Sequence, residues 1–105
     1  DRVTDDFVLY EPPGVPFAGE YRGKDGFARA AAAVFGTWES FSTETLEFVG
    51  GDDYAIHYLL FNMTSKKTGN SFTQTVCEAA KFEGDKLKEL RINYFDIAQV
   101  AAEAR

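Results

Sequence analysis

Three turn clusters in the second half of the chain limit what it can fold into. They are Gly50-Gly51-Asp52-Asp53, Ser65-Lys66-Lys67-Thr68-Gly69-Asn70 and Glu83-Gly84-Asp85. Around them, Phe41 to Val49, Tyr54 to Thr64, Ser71 to Phe82 and Lys86 to Phe95 read as strands, with a period near two. Strands joined by turns this short pair antiparallel, so the pattern predicts a meander of three hairpins. Asp96 then caps a short helix with Ile97, Val100, Ala101 and Ala104 on one side.

The first half is organised differently. Residues 3–11 read as a strand because Phe7, Val8, Leu9 and Tyr10 suit a pleated surface. Pro12 and Pro13 forbid its continuation, since each ring fixes φ and removes a backbone donor. Residues 12–23 read as a loop, punctuated by Gly14, Pro16, Gly19 and Gly23. A helix follows with Asp25 as its N-cap. Phe27, Ala30, Ala31, Val34 and Phe35 fall on one stripe, and Gly36 reads as the stop.

A helix followed by long antiparallel strands means one α+β domain spanning 1–105, with the helix on one sheet face. Long strands coil, so the helix should lie across a concave side and leave a conical cavity. Several strands carry apolar residues on both parities, among them Tyr58, Leu59, Leu60 and Phe61, and Val76, Cys77, Ala79 and Ala80. With one helical layer available, a second copy is the natural cover for the other face, which predicts a homodimer through the sheet. Ten Phe, five Tyr and one Trp exceed what so small a core needs, and suggest an aromatic pocket or a subunit interface.

Several classes of function are set aside. A net charge of −6 without a basic cluster argues against nucleic acid. No apolar run is long enough for a membrane helix, and no signal peptide is recognised, so a cytoplasmic protein is expected. The single Cys77, in an apolar strand pattern, reads as an inert buried thiol. One histidine is too little for a metal site, and Gly19-Glu20-Tyr21-Arg22-Gly23-Lys24 runs into Asp25, so it is no phosphate loop. Neither metal nor cofactor is expected.

Two carboxylates stand out. Glu11 closes a strand beside a proline-locked turn, where apolar walls would raise its pKa and fit it to move protons near neutral pH. Glu78 interrupts Thr75-Val76-Cys77-Glu78-Ala79-Ala80, the company of a site residue or of a structural pair. His57 lies opposite Glu78 if the second turn centres on Lys67-Thr68. A one-residue slip places Tyr58 there instead. The second register is preferred, because it gathers Tyr58, Asn62, Gln74 and Glu78 in one cup and sends His57 to the dimer face. Tyr10, Trp38, Phe41, Tyr58 and Tyr94 are the candidate walls, with Asn62 as a polar contact.

Asp5-Asp6-Phe7-Val8-Leu9-Tyr10-Glu11-Pro12-Pro13-Gly14, Gly19-Glu20-Tyr21-Arg22-Gly23, the segment Glu78 to Leu87 and the tail Tyr94-Phe95-Asp96 together carry a resemblance. The chain resembles the SnoaL-like branch of the nuclear transport factor 2-like superfamily, with its ketosteroid isomerases, polyketide cyclases and limonene epoxide hydrolases. The resemblance implies a cone-shaped, strongly curved antiparallel sheet wrapped on helix, a cystatin-like roll, dimeric through the sheet. It places Glu11 at the family's proton-shuttling carboxylate and Glu78 at its protonated oxyanion-hole acid. Glutamate stands for aspartate at both. The family's first helix, which carries its oxyanion tyrosine, is not expected among these residues, and no Asp-Arg-Asp set for an epoxide hydrolase is evident. Two functions stay open: an isomerase or cyclase (lyase) acting on a small hydrophobic carbonyl compound, and a module that only binds such a molecule or dimerises.

Overall fold

The computed structural model describes residues 2–104; Asp1 and Arg105 lie outside the described residues. β1 (Val3–Glu11) alternates as its sequence demands: Phe7, Leu9 and Glu11 are buried, and Val8 and Tyr10 are only partly covered on the other face. The chain turns at Pro12-Pro13, and Val15 and Phe17 fold inward to join the core. It returns as β2 (Gly19–Arg22), antiparallel to β1 from Val8↔Arg22 to Glu11↔Gly19. Part of the segment read as loop is therefore strand. Gly-Glu-Tyr-Arg has no periodicity of its own, and the open edge of β1 supplies its partners.

α1 (Gly26–Thr37) begins where Gly26 permits a close approach: a Cβ there would sit 2.6 Å from the Tyr21 carbonyl oxygen. Asp25 is the N-cap by position, but its side chain makes no cap bond and pairs with Arg29 at 3.3 Å. Gly36 does not stop the helix. α1 runs on to Thr37, whose hydroxyl donates to the Ala33 carbonyl (2.8 Å), while the Lys66 ammonium donates to the Gly36 carbonyl (2.7 Å). Those bonds satisfy C-terminal acceptors that a glycine turn would otherwise serve.

Trp38 leads directly into the meander of β3 (Trp38–Gly50), β4 (Tyr54–Ser65), β5 (Ser71–Glu83) and β6 (Lys86–Tyr94). The three hairpins form as the turns predict, and β1 adds parallel to β6, giving a curved sheet of order β2-β1-β6-β5-β4-β3. α2 (Ile97–Ala104) closes one end. Asp96 caps it, accepting from the Gln99 amide at 3.2 Å, and Val100 is fully buried. The buried Gln74 amide holds this end by donating to the Asp96 carbonyl (2.7 Å) and accepting from the Asp96 amide (3.0 Å).

The register of β4 on β5 differs from the preferred one. His57 pairs with Glu78 and Tyr58 with Cys77. The Ser65 hydroxyl accepts from the amides of Lys67 and Thr68 (both 3.2 Å), which centres the turn on those two residues. Odd positions of β4 and even positions of β5 therefore face inward, burying Leu59, Phe61, Met63, Gln74 and Val76. Tyr58 and Asn62 go to the outer face, where Asn62 accepts from Thr73 (2.8 Å). Cys77 is there too, exposed rather than buried.

Candidate functional site

The concave face of the sheet and the apolar stripe of α1 enclose a cavity of about 480 Å³. All five stripe residues line it: Ala30 and Val34 are buried, and Phe27 and Phe35 stand half-exposed at its rim. The small side chains Ala30 and Ala31 keep the helix slim, so the space between helix and sheet stays open. Leu9, Leu59, Leu90 and Ile92 form the floor, and Phe48 and Phe82 add exposed apolar surface at the mouth. An aromatic file crosses the interior. Phe35 meets Phe41 edge-on (5.1 Å), Phe41 meets Phe61 (5.0 Å), Phe61 meets Tyr94 (5.7 Å), and Phe17 closes the row behind Tyr94 (6.4 Å).

Glu11 lines this cavity from the end of β1, 8% exposed. The Tyr94 hydroxyl donates to its Oε1 at 3.2 Å. Burial pushes the Glu11 carboxyl from its usual 4.5 up to about 8; the Tyr94 hydrogen bond opposes the rise and the Glu78 charge adds to it. Burial, with the Glu11 charge, also holds the Tyr94 phenol well above its ordinary range, so Tyr94 remains a donor.

Glu78 lines the same cavity from β5. Burial raises its pKa, and the attraction of His57 pulls it partly back. His57 also lines the cavity, which removes it from the outer face. Its Nδ1 is 3.4 Å from Glu78 Oε1, its Nε2 is 2.8 Å from the Thr45 hydroxyl, and the Phe48 ring stacks on it at 4.2 Å and 12°. Sequence reasoning did not single out Thr45 or Phe48. Both depend on the bulge between Thr45 and Glu47, which resets the pairing of β3 on β4 so that Phe48 falls opposite His57.

Among the candidate walls, Phe41 lines the cavity and Tyr94 touches Glu11. The others sit elsewhere. Tyr10 is on the outer face beneath the Arg91 guanidinium, 4.0 Å from its ring centre. Trp38 is a core residue, 2% exposed against Phe72 at 5.6 Å, and its Nε1 has no hydrogen-bond partner. Tyr58 and Asn62 are displaced by the register described above. Among the described residues no three His, Cys, Asp or Glu side chains gather as a metal site.

Comparison with known proteins gives the same architecture. None of the curated proteins compared matches the sequence. An NTF2-like protein of Burkholderia thailandensis superposes with a TM-score of 0.85 at 22% identity, over 98% of this chain and 79% of that one. A putative SnoaL-like polyketide cyclase of Jannaschia gives 0.79 at 10% identity, over 98% and 73%. A Catenulispora acidiphila protein with a ketosteroid isomerase-like fold, in complex with trimethylamine, gives 0.80 at 11%, over 97% and 75%. The model of the SnoaL-like domain matches residues 1–90. With that match and this α+β cone, the chain belongs to the SnoaL-like domain family of the NTF2-like fold.

Proposed function

We propose that this protein moves a proton on a small hydrophobic carbonyl compound bound in the cavity, as an isomerase or cyclase would. The observation that supports it is a carboxyl group, Glu11, at the inner end of an apolar hollow, with its pKa pushed up to about 8. A base of that strength suits the weakly acidic C–H next to a carbonyl better than an ordinary carboxylate does. In the step proposed, Glu11 takes the hydrogen as a proton, and the C–H electron pair becomes the C=C bond of an enolate. Glu78, carrying its proton, donates a hydrogen bond to the enolate oxygen. Glu11 then returns the proton to a second carbon. One neighbour in fold is named as a putative polyketide cyclase, which is in keeping with this reading.

One observation favours a second reading. At neutral pH a group with a pKa near 8 is mostly protonated, so Glu11 would also serve as a hydrogen-bond donor to a ligand that is bound and not transformed. The two readings separate on Glu11→Gln, assayed with cyclic β,γ-unsaturated ketones as probes. Loss of at least ~100-fold in α-hydrogen exchange with ligand affinity retained supports the enzyme. Unchanged exchange, or none in either protein with binding intact, supports the binding module. A second copy on the outer face belongs to the same proposal, supported by Val49, Ile56, Tyr58 and Leu60, which place apolar surface there with no helix over it. So does a cytoplasmic setting, consistent with one unpaired thiol. No helix among the described residues is long and apolar enough to cross a membrane.

A further inference from the structure

We propose that Thr45, His57 and Glu78 form a proton relay joining the cavity to bulk water, with Glu78 as its inner end and Thr45 as its outer end. The inference rests on the proposed function only for the use to which the relay is put.

Three observations carry it. The groups are in line: Thr45 Oγ1 is 2.8 Å from His57 Nε2, and His57 Nδ1 is 3.4 Å from Glu78 Oε1. The second contact is long for a hydrogen bond, as such contacts often are before a ligand closes the site. Exposure rises outward along the line, from a Glu78 side chain at 18% through His57 at 23% to an exposed Thr45. Phe48 stacks on one face of the imidazole, which holds the ring plane against β3 and leaves Nδ1 and Nε2 to their two partners. With Glu78 ionised, its carboxylate accepts from Nδ1–H and the Thr45 hydroxyl donates to Nε2.

The other acid of the cavity is differently placed. Glu11 is bonded to a Tyr94 phenol that is itself largely buried, between Phe61 and Phe17. The two carboxyls therefore divide the work: Glu11 keeps its proton within the cavity, and Glu78 trades its own with solvent. In one passage the Thr45 hydroxyl gives a proton to Nε2 and takes one from water, and Nδ1–H passes to the Glu78 carboxylate. The net change is one proton moved from water to Glu78, with hydroxide left in bulk and the ring proton shifted from Nδ1 to Nε2; exchange of the ring proton with water restores the Nδ1–H form before the next passage. Glu78 can then protonate an oxygen of the substrate, which suits carbonyl reactions that lose water or exchange a proton with the medium.

His57 is the sole histidine, so 15N NMR reads its ring nitrogens without ambiguity. In the ligand-free protein, with Glu78 ionised at alkaline pH and before any proton has passed, the neutral ring should carry its proton on Nδ1. Exchange of that proton with water should slow at least about tenfold in Thr45→Val, while Thr45→Ser should retain the wild-type rate. An Nε2–H ring, or exchange indifferent to the hydroxyl, overturns the relay; a static hydrogen bond predicts that indifference. If Thr45→Val perturbs the amide spectrum, Thr45→Ala is measured in its place, with the same slowing expected and the same indifference overturning the relay. No substrate enters this measurement, so a failure of Glu11→Gln to affect turnover sinks the proposed reaction and leaves the relay standing.

Discussion

Glu11 gains its character from what surrounds it: apolar walls, one phenol donor and a second carboxyl near enough to be felt. As the base in a proton transfer it acts only when ionised. The rate should therefore climb roughly tenfold per pH unit below the midpoint and level off above about 8. A pH–rate profile that is flat from pH 5 to 9 would contradict that role. Tyr94→Phe removes the hydrogen bond that favours the charged form, so the midpoint should move further up, by about one unit. Glu11 was legible in the sequence because prolines fix where a strand ends, and an acid at that end has few places to go. The partner of Glu78 was not, because a one-residue slip exchanges the two faces of a strand. What decides it is the Ser65 hydroxyl gathering two turn amides, and the polar side chains that the other register groups together, Tyr58 and Asn62, find their place outside.

At the scale of elements, the site exists because α1 docks by its N-terminus on β2 and lays its apolar stripe along the cavity. Gly26 sets that docking. Gly26→Ala drives a methyl group against the Tyr21 carbonyl and should cost about 2 kcal/mol or more, read as a fall in denaturation midpoint at unchanged m. Wild-type stability would show that α1 does not dock on β2 at this point. α2 is held at its start by the buried Gln74 amide and at its end by the Ser65 hydroxyl, which donates to the Glu103 carbonyl at 2.7 Å. Gln74→Ala leaves the Asp96 amide without its partner and the Asp96 carbonyl with only the Val100 amide at 3.3 Å, for about 1–3 kcal/mol and faster hydrogen exchange confined to α2. Hairpins and helices were plain from turn residues and periodicity, which are local. β2 and the continuation of α1 past Gly36 were not, because a strand edge and the Lys66 ammonium from thirty residues away decide them.

For the whole molecule, one concave face is occupied by α1 and the other, convex face is bare of helix. If a second copy covers it, wild type should sediment as a dimer at about 100 μM, and Leu60→Lys, which places a charge at its centre, as a monomer. A wild-type monomer at that concentration removes the dimer from the proposal. The cavity itself makes a demand on the entire fold. A buried acid raised from 4.5 to about 8 means that the folded state holds its proton more tightly than the unfolded chain does. Its contribution is then fully present below about pH 4.5 and is lost as pH rises through about 8, by no more than ~5 kcal/mol. Urea denaturation of wild type and Glu11→Gln from pH 5 to pH 9 isolates this term. The wild type should lose a few kcal/mol relative to the variant across that range; two curves that stay parallel would mean that Glu11 is not buried in an apolar cavity.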